Sequence, residues 1–187
     1  MSRELLPFLE APLEELNRWL VSRGTHLELT LIGAAALTLR GYRRPAGFES
    51  RDMDSVTDLE ASDIFEVVAE IGRVHRLGED WLNDNSRTLP LPLGCEDRLS
   101  LVQLFSNITA WVVARGDLIS LKCSAFISRG AETRRDLEDL RRMSPTPEEI
   151  QTCIVFAEQT NRPDPYKDPW KKDFEDSVAE LRNAFKN

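Results

Sequence analysis

Cysteine is scarce in this chain, with three among 187 residues. Cys95, Cys123 and Cys153 are odd in number, far apart, and set in apolar or turn surroundings, so neither a disulfide framework nor a zinc site is expected. There are only two histidines, and His75 has no second metal-binding residue at a suitable spacing. Positive charge is short as well: 24 Lys and Arg stand against 32 Asp and Glu, giving a net charge of −8 and a pI near 4.9. That balance argues against a broad nucleic-acid surface, which needs clustered cations to neutralise phosphates, and leaves room only for a local basic pocket. Long apolar runs are missing, so no membrane span is expected. Glu4, Glu10, Glu14 and Glu15 interrupt the leucines near the start, unlike a signal peptide. A reducing cytoplasmic location with no membrane partner is the expectation, and the length suits one domain over 1–187.

What is present reads as an alternation of helices and strands without repeats or low-complexity tracts. Leu5 to Leu20 carries leucines and Trp19 at helical spacing, with Pro12 as a potential interruption and Gly24 as a C-terminal stop. His26 to Ile32 alternates and is rich in β-formers, predicting a strand that runs into Gly33 and a helix begun by small residues from Ala34. Small side chains let a ligand approach the backbone, but they also serve tight helix–strand packing. Arg40, Arg43 and Arg44 reverse the local charge just before the stretch Ser50-Arg51-Asp52-Met53-Asp54. A helix capped by Ser62 or Asp63 follows, carrying Ile64 to Val74, and then a short helix around Trp81 to Asn85. Leu99 to Phe105 and Ile108 to Ala114 read as a hairpin turning at Ser106-Asn107. Gly116-Asp117 opens a helix with Leu118, Ile119, Leu121, Ala125 and Ile127 as its buried stripe; Lys122, close by, either snorkels to water or points inward as a fixed cation. Another helix begins near Thr133 and carries Asp136 and Asp139. Thr146-Pro147-Glu148-Glu149 combines a cap, a proline at the first helical position and a glutamate three after the cap, predicting a helix to about Thr160. A last helix, about Pro169 to Phe185, should pack back on the domain.

The chemistry centres on Asp52 and Asp54. Residues two apart on a strand face the same way, so the two carboxylates stand side by side and repel unless a cation joins them. Magnesium, which binds through one or two carboxylates plus a substrate's phosphates, is the natural partner. Solvated loop aspartates are the plainer alternative.

The order of Leu31-Ile32-Gly33-Ala34-Ala35-Ala36-Leu37, Ser50-Arg51-Asp52-Met53-Asp54, Asp117-Leu118-Ile119-Ser120-Leu121-Lys122 and Arg135-Asp136-Leu137-Glu138-Asp139-Leu140 resembles the AbiEii-like nucleotidyltransferase-fold proteins, several of which are toxins of bacterial toxin–antitoxin systems. The resemblance implies an α+β fold: a nucleotidyltransferase-like mixed sheet flanked by helices over 27–142, with a helical C-terminal extension over 146–187. It implies a magnesium-dependent transfer of a nucleotide from a nucleoside triphosphate to a hydroxyl of RNA or protein, with a cognate antitoxin or another protein as partner. Carried over, it puts Asp52 and Asp54 on the metal, Gly33, Ala34 and Ser50 at the nucleotide, and Lys122 with Asp136 as the second half of the catalytic centre, Asp139 being the alternative to Asp136. Two positions depart from the family's pattern. Ala34 replaces a residue that is usually Ser or Gly, and Ser50 stands for a threonine while Arg43 and Arg44 are displaced by an insertion through Glu49. These departures motivate a second expectation, a catalytically degenerate member kept as a binding or partner module.

Overall fold

The computed structural model describes residues 8–43, 52–59, 64–129, 134–160 and 168–186, with side chains from residue 173 in the last segment. It is a mixed α+β protein whose chain divides into two compact units: residues 1–89 with 96–113, and residues 90–95 with 114–187. Among the described residues, no helix is long and apolar enough to cross a membrane.

The first unit is built on two small sheets. Strand β1 (Leu27–Leu31) pairs in parallel with β5 (Ile108–Val112), which pairs antiparallel with β4 (Ser100–Phe105). Strand β2 (Met53–Asp54) pairs in parallel with β3 (Leu82–Asn83), and an antiparallel bridge between Leu31 and Ser55 joins the two sheets. Alternation sets the core. Leu27, Leu29 and Leu31 lie in register with Ile108, Ala110 and Val112, and all six are buried. Each large aliphatic side chain so placed contributes about 2 kcal/mol. The opposite face carries Glu28, Thr30 and Trp111, which stay exposed or half-buried.

The expected hairpin forms around Ser106-Asn107, and its turn is pinned. Asn107 N donates to Asn17 Oδ1 at 2.8 Å, and Asn107 Nδ2 donates to Thr25 O at 2.7 Å. Helix α1 (Glu10–Arg23) absorbs Pro12 in its first turn, where the missing N–H has no helical partner to lose, and ends on Gly24 in the left-handed region at φ 64. Leu5 and Leu6 lie outside the described residues. Helix α2 (Gly33–Leu39) packs on β2, and helix α3 (Phe65–Val74) packs on α1, tied by His75 Nε2 to Glu15 Oε2 at 2.8 Å. The capping pair Ser62 and Asp63 lies outside the described residues.

One expectation fails in this unit. The stretch around Trp81 to Asn85 contains strand β3 rather than a short helix. Buried Trp81 donates from Nε1 to Val68 O at 2.8 Å, and Trp81 O accepts Met53 N, so tertiary pairing with β2 overrides a local pattern too short to decide.

The second unit is helical: α4 (Arg115–Arg129), α5 (Arg134–Met143), α6 (Pro147–Thr160) and α7 (Asp168–Ala184). Helix α6 begins as predicted, with a reciprocal capping box in which Glu149 N donates to Thr146 Oγ1 at 3.2 Å and Thr146 N donates to Glu149 Oε2 at 2.8 Å. Helix α4 is the centre against which α5, α6 and α7 pack. Its buried stripe is corrected in part: Cys123 and Phe126 join Leu118, Ile119 and Ile127 inside, while Leu121 and Ala125 are only half-buried. Val178 and Leu181 supply the inward side of α7.

Candidate functional site

Each unit holds one half of the residues singled out by sequence. In the first unit, the acidic pair is positioned by backbone pairing. Met53 N donates to Trp81 O at 2.6 Å, Ser55 N donates to Asn83 O at 2.9 Å, and Ile32 N donates to Asp54 O at 3.2 Å. Met53 is fully buried between two half-buried aspartates, as a strand alternation requires. Asp52 and Asp54 therefore lie toward the more open face.

Asp54 is held closely. Asn83 Nδ2 donates to its Oδ1 at 3.4 Å. Its Oδ2 lies 2.5 Å from the point where a Cβ on Gly33 would sit, and Gly33 itself has φ +63. Glycine is needed here twice over, for the left-handed backbone and for the approach of the carboxylate. Gly33 and Asp54 are thus brought together, as expected, and Asp54 itself occupies the space the missing side chain leaves. Ala34 is buried and its carbonyl accepts Thr38 Oγ1 at 3.0 Å, so this position offers a ligand nothing from its side chain. Ser50 lies outside the described residues, as does Arg44. Arg40 is committed elsewhere, donating from Nη2 to Val112 O at 2.7 Å and from Nε to Val113 O at 3.0 Å.

In the second unit, Lys122 points inward. Its Nζ donates to Asp136 Oδ1 at 2.7 Å and lies 3.0 Å from Asp139 Oδ2. The side chains are 15% exposed for Lys122, 4% for Asp136 and 0% for Asp139. Asp136 and Asp139, three apart on α5, share one helix face, so the choice between them dissolves: both reach the lysine. Arg129 Nη1 stands 3.6 Å from Asp136 Oδ2, and Arg142 Nη1 stands 3.4 Å from Asp139 Oδ1. Asp136 Oδ2 is buried and accepts no hydrogen bond from the described residues. A first-turn acid on an exposed helix would serve only as a cap; burial against Lys122 makes these two part of a charged cluster.

Asn83, Arg129 and Arg142 escaped the sequence reading. Arg129 lies seven residues after Lys122, two helical turns along the same face of α4, and that spacing is a legible signal. Asn83 becomes visible only once β3 is known to pair with β2.

Three other groups in the second unit, Glu149, Cys123 and Cys153, have shifted acidities. The Arg115 guanidinium beside Glu149 holds its carboxyl below the usual range, against a smaller opposing effect of burial. Cys123 and Cys153 are free and buried; hydrogen bonding to Cys153, with burial, pushes the Cys123 thiol up. Ser120 Oγ sits 3.4 Å from Cys153 Sγ.

The hard donors at Asp52 and Asp54 are the two carboxylates, of the kind magnesium takes together with substrate phosphates; Asn83 turns its Nδ2 to Asp54, and its Oδ1 accepts Asn85 N at 3.1 Å. Among the described residues, no group of three or more His, Cys, Asp or Glu forms a site that would hold a metal by itself. Compared with known protein families, curated protein sequences and solved structures, the chain matches none.

Proposed function

We propose that this chain is a magnesium-dependent nucleotidyltransferase of the AbiEii-like kind, moving a nucleotide from a nucleoside triphosphate to a hydroxyl of RNA or protein, in a toxin role paired with an antitoxin protein. The observation that carries the reading is the Asp52 and Asp54 pair, half-buried on either side of buried Met53 at the start of β2, with Asp54 seated against Gly33 and steadied by Asn83. Asp52 and Asp54 would hold magnesium, which supplies charge neutralisation for the phosphates. The main chain around Gly33 and Ala34 lies beside Asp54, where the triphosphate is read to bind. The acceptor hydroxyl oxygen bonds to the α-phosphorus as the bond to the bridging oxygen breaks and pyrophosphate leaves; the hydroxyl proton passes to a carboxylate. In the second unit, Lys122 stands between Asp136 and Asp139 and offsets their charge.

The test is incubation with labelled triphosphates, magnesium and RNA or protein acceptors. Wild type should label an acceptor and Asp52→Asn should not; equal labelling by both, or none with any acceptor, rejects the proposal. A second reading, a degenerate member serving as a binding or partner module, is favoured by one observation: Lys122 is already engaged by two carboxylates. Triphosphate binding that requires both magnesium and Asp54 counts against it.

A further inference from the structure

On the open face of the first unit's sheet lies a shallow, open depression of about 420 Å³, lined by Glu28, Thr30, Thr57, Glu96, Leu99 and Trp111. Its size is within the range of small-ligand sites. Its lining sets polar side chains beside the apolar surface of Leu99 and Trp111. Two carboxylates, two threonines and one half-buried indole converge, and Trp111 Nε1 donates to Glu28 Oε2 at 3.3 Å, fixing the glutamate beside the ring. Thr57 Oγ1 accepts Thr30 N at 2.8 Å, so the far wall is fixed as well.

The cavity is a near neighbour of the acidic pair. The bridge between Leu31 and Ser55 puts Ile32 opposite Asp54, and Val56 N donates to Thr30 O at 3.0 Å. Leu31 faces the core, so alternation turns Thr30 and Asp54 to the other side. Thr30 is two residues from Ile32, about 7 Å along the strand.

We infer that this cavity receives an arginine side chain of a protein acceptor, placing a nearby Ser, Thr or Tyr hydroxyl at Asp52 and Asp54. The inference rests on the nucleotidyltransferase reading for the identity of the reaction, not for the binding itself. A guanidinium matches the lining on each count: its plane stacks on an indole, its paired N–H groups engage a carboxylate at two points, and its charge offsets Glu28 and Glu96. An RNA acceptor suits the cavity poorly, because its phosphates meet two carboxylates. In an extended segment, residues two apart point the same way at about 7 Å, so an arginine two positions from the acceptor hydroxyl spans the separation.

Calorimetry of the full chain with N-acetyl-arginine amide, and with the isosteric but neutral citrulline derivative, tests the binding. Arginine amide should bind at least about tenfold more tightly than the citrulline compound, and Glu28→Gln should remove most of that preference. Glu96→Gln gives a second, independent reduction. Equal binding of the two compounds, or a preference unchanged in both variants, overturns the inference. Transfer assays with labelled triphosphate and paired peptides, arginine or citrulline two residues from the hydroxyl, test the acceptor role. Arginine peptides should be labelled preferentially by wild type and lose that preference with Glu28→Gln. Labelling of RNA with no labelling of either peptide overturns the acceptor assignment while leaving nucleotidyl transfer intact. Arginine binding without labelling of any acceptor keeps the guanidinium site and removes the transfer reading.

Discussion

The two acidic centres of this protein are built by opposite means. Asp54 lies on the two-residue strand β2 and Asp52 just before it, both half-buried, with a glycine and an amide as close neighbours of Asp54. Asp136 and Asp139 are placed by side-chain pairing between α4 and α5, nearly buried, around one lysine. The first arrangement is set by main-chain hydrogen bonds of Met53, Asp54 and Ser55 and leaves both carboxylates half-buried. The second makes its charges part of the packing of the second unit.

The sharpest way to break this contrast is to remove the central cation. Lys122→Ala leaves two carboxylates buried together, and breaking a buried pair in this way typically costs about 3–5 kcal/mol. Urea unfolding should show a loss of that size, partly restored in Lys122→Arg. A stability change near zero would mean that the aspartates are not locked by the lysine. Next in size is Gly33→Ala, which combines a left-handed backbone with a Cβ against Asp54. The backbone alone costs about 1–2 kcal/mol, and the carboxylate must also move. The expected result is a modest fall in unfolding free energy with loss of magnesium-dependent triphosphate binding. Asp54→Asn should then separate the two centres: stability within about 1 kcal/mol of wild type, because the strand is held by its backbone, but no nucleotide transfer.

The smallest effect concerns pH. The folded-state acidity of Glu149 is raised by Arg115, meaning a pKa below the ordinary 4.5, so its contribution is fully present above about pH 4.5 and is lost as pH falls through the lower folded value. The pair is about one-third exposed and screened by solvent, which limits its worth to about 1 kcal/mol or less. Unfolding midpoints measured from pH 6 down to about pH 3 should fall less steeply for Glu149→Gln than for wild type. Parallel profiles would show that Arg115 does not stabilise the charged form.

The elements with local signals were legible from sequence. Gly24 stopped α1, the alternation from His26 onward gave β1, and Thr146-Pro147-Glu148-Glu149 gave the start of α6 together with its reciprocal bonds. What depended on distant partners was not. Strand β3 has two residues and exists through pairing with β2 and the burial of Trp81, which no short window encodes. The parallel pairing of β1 with β5 joins residues some eighty positions apart. At the site, the Asp-x-Asp spacing foretold a shared face, and the inward option for Lys122 was open. Asn83 and the engagement of both Asp136 and Asp139 needed the third dimension, because i and i+3 positions share a face without revealing which way that face points.

Isothermal titration of a nucleoside triphosphate into the full chain, with and without magnesium, in wild type and Asp54→Asn, tests the central claim most directly. The account predicts binding to wild type only when magnesium is present, and its loss in Asp54→Asn at unchanged unfolding free energy. Binding that is indifferent to both magnesium and the substitution would contradict it.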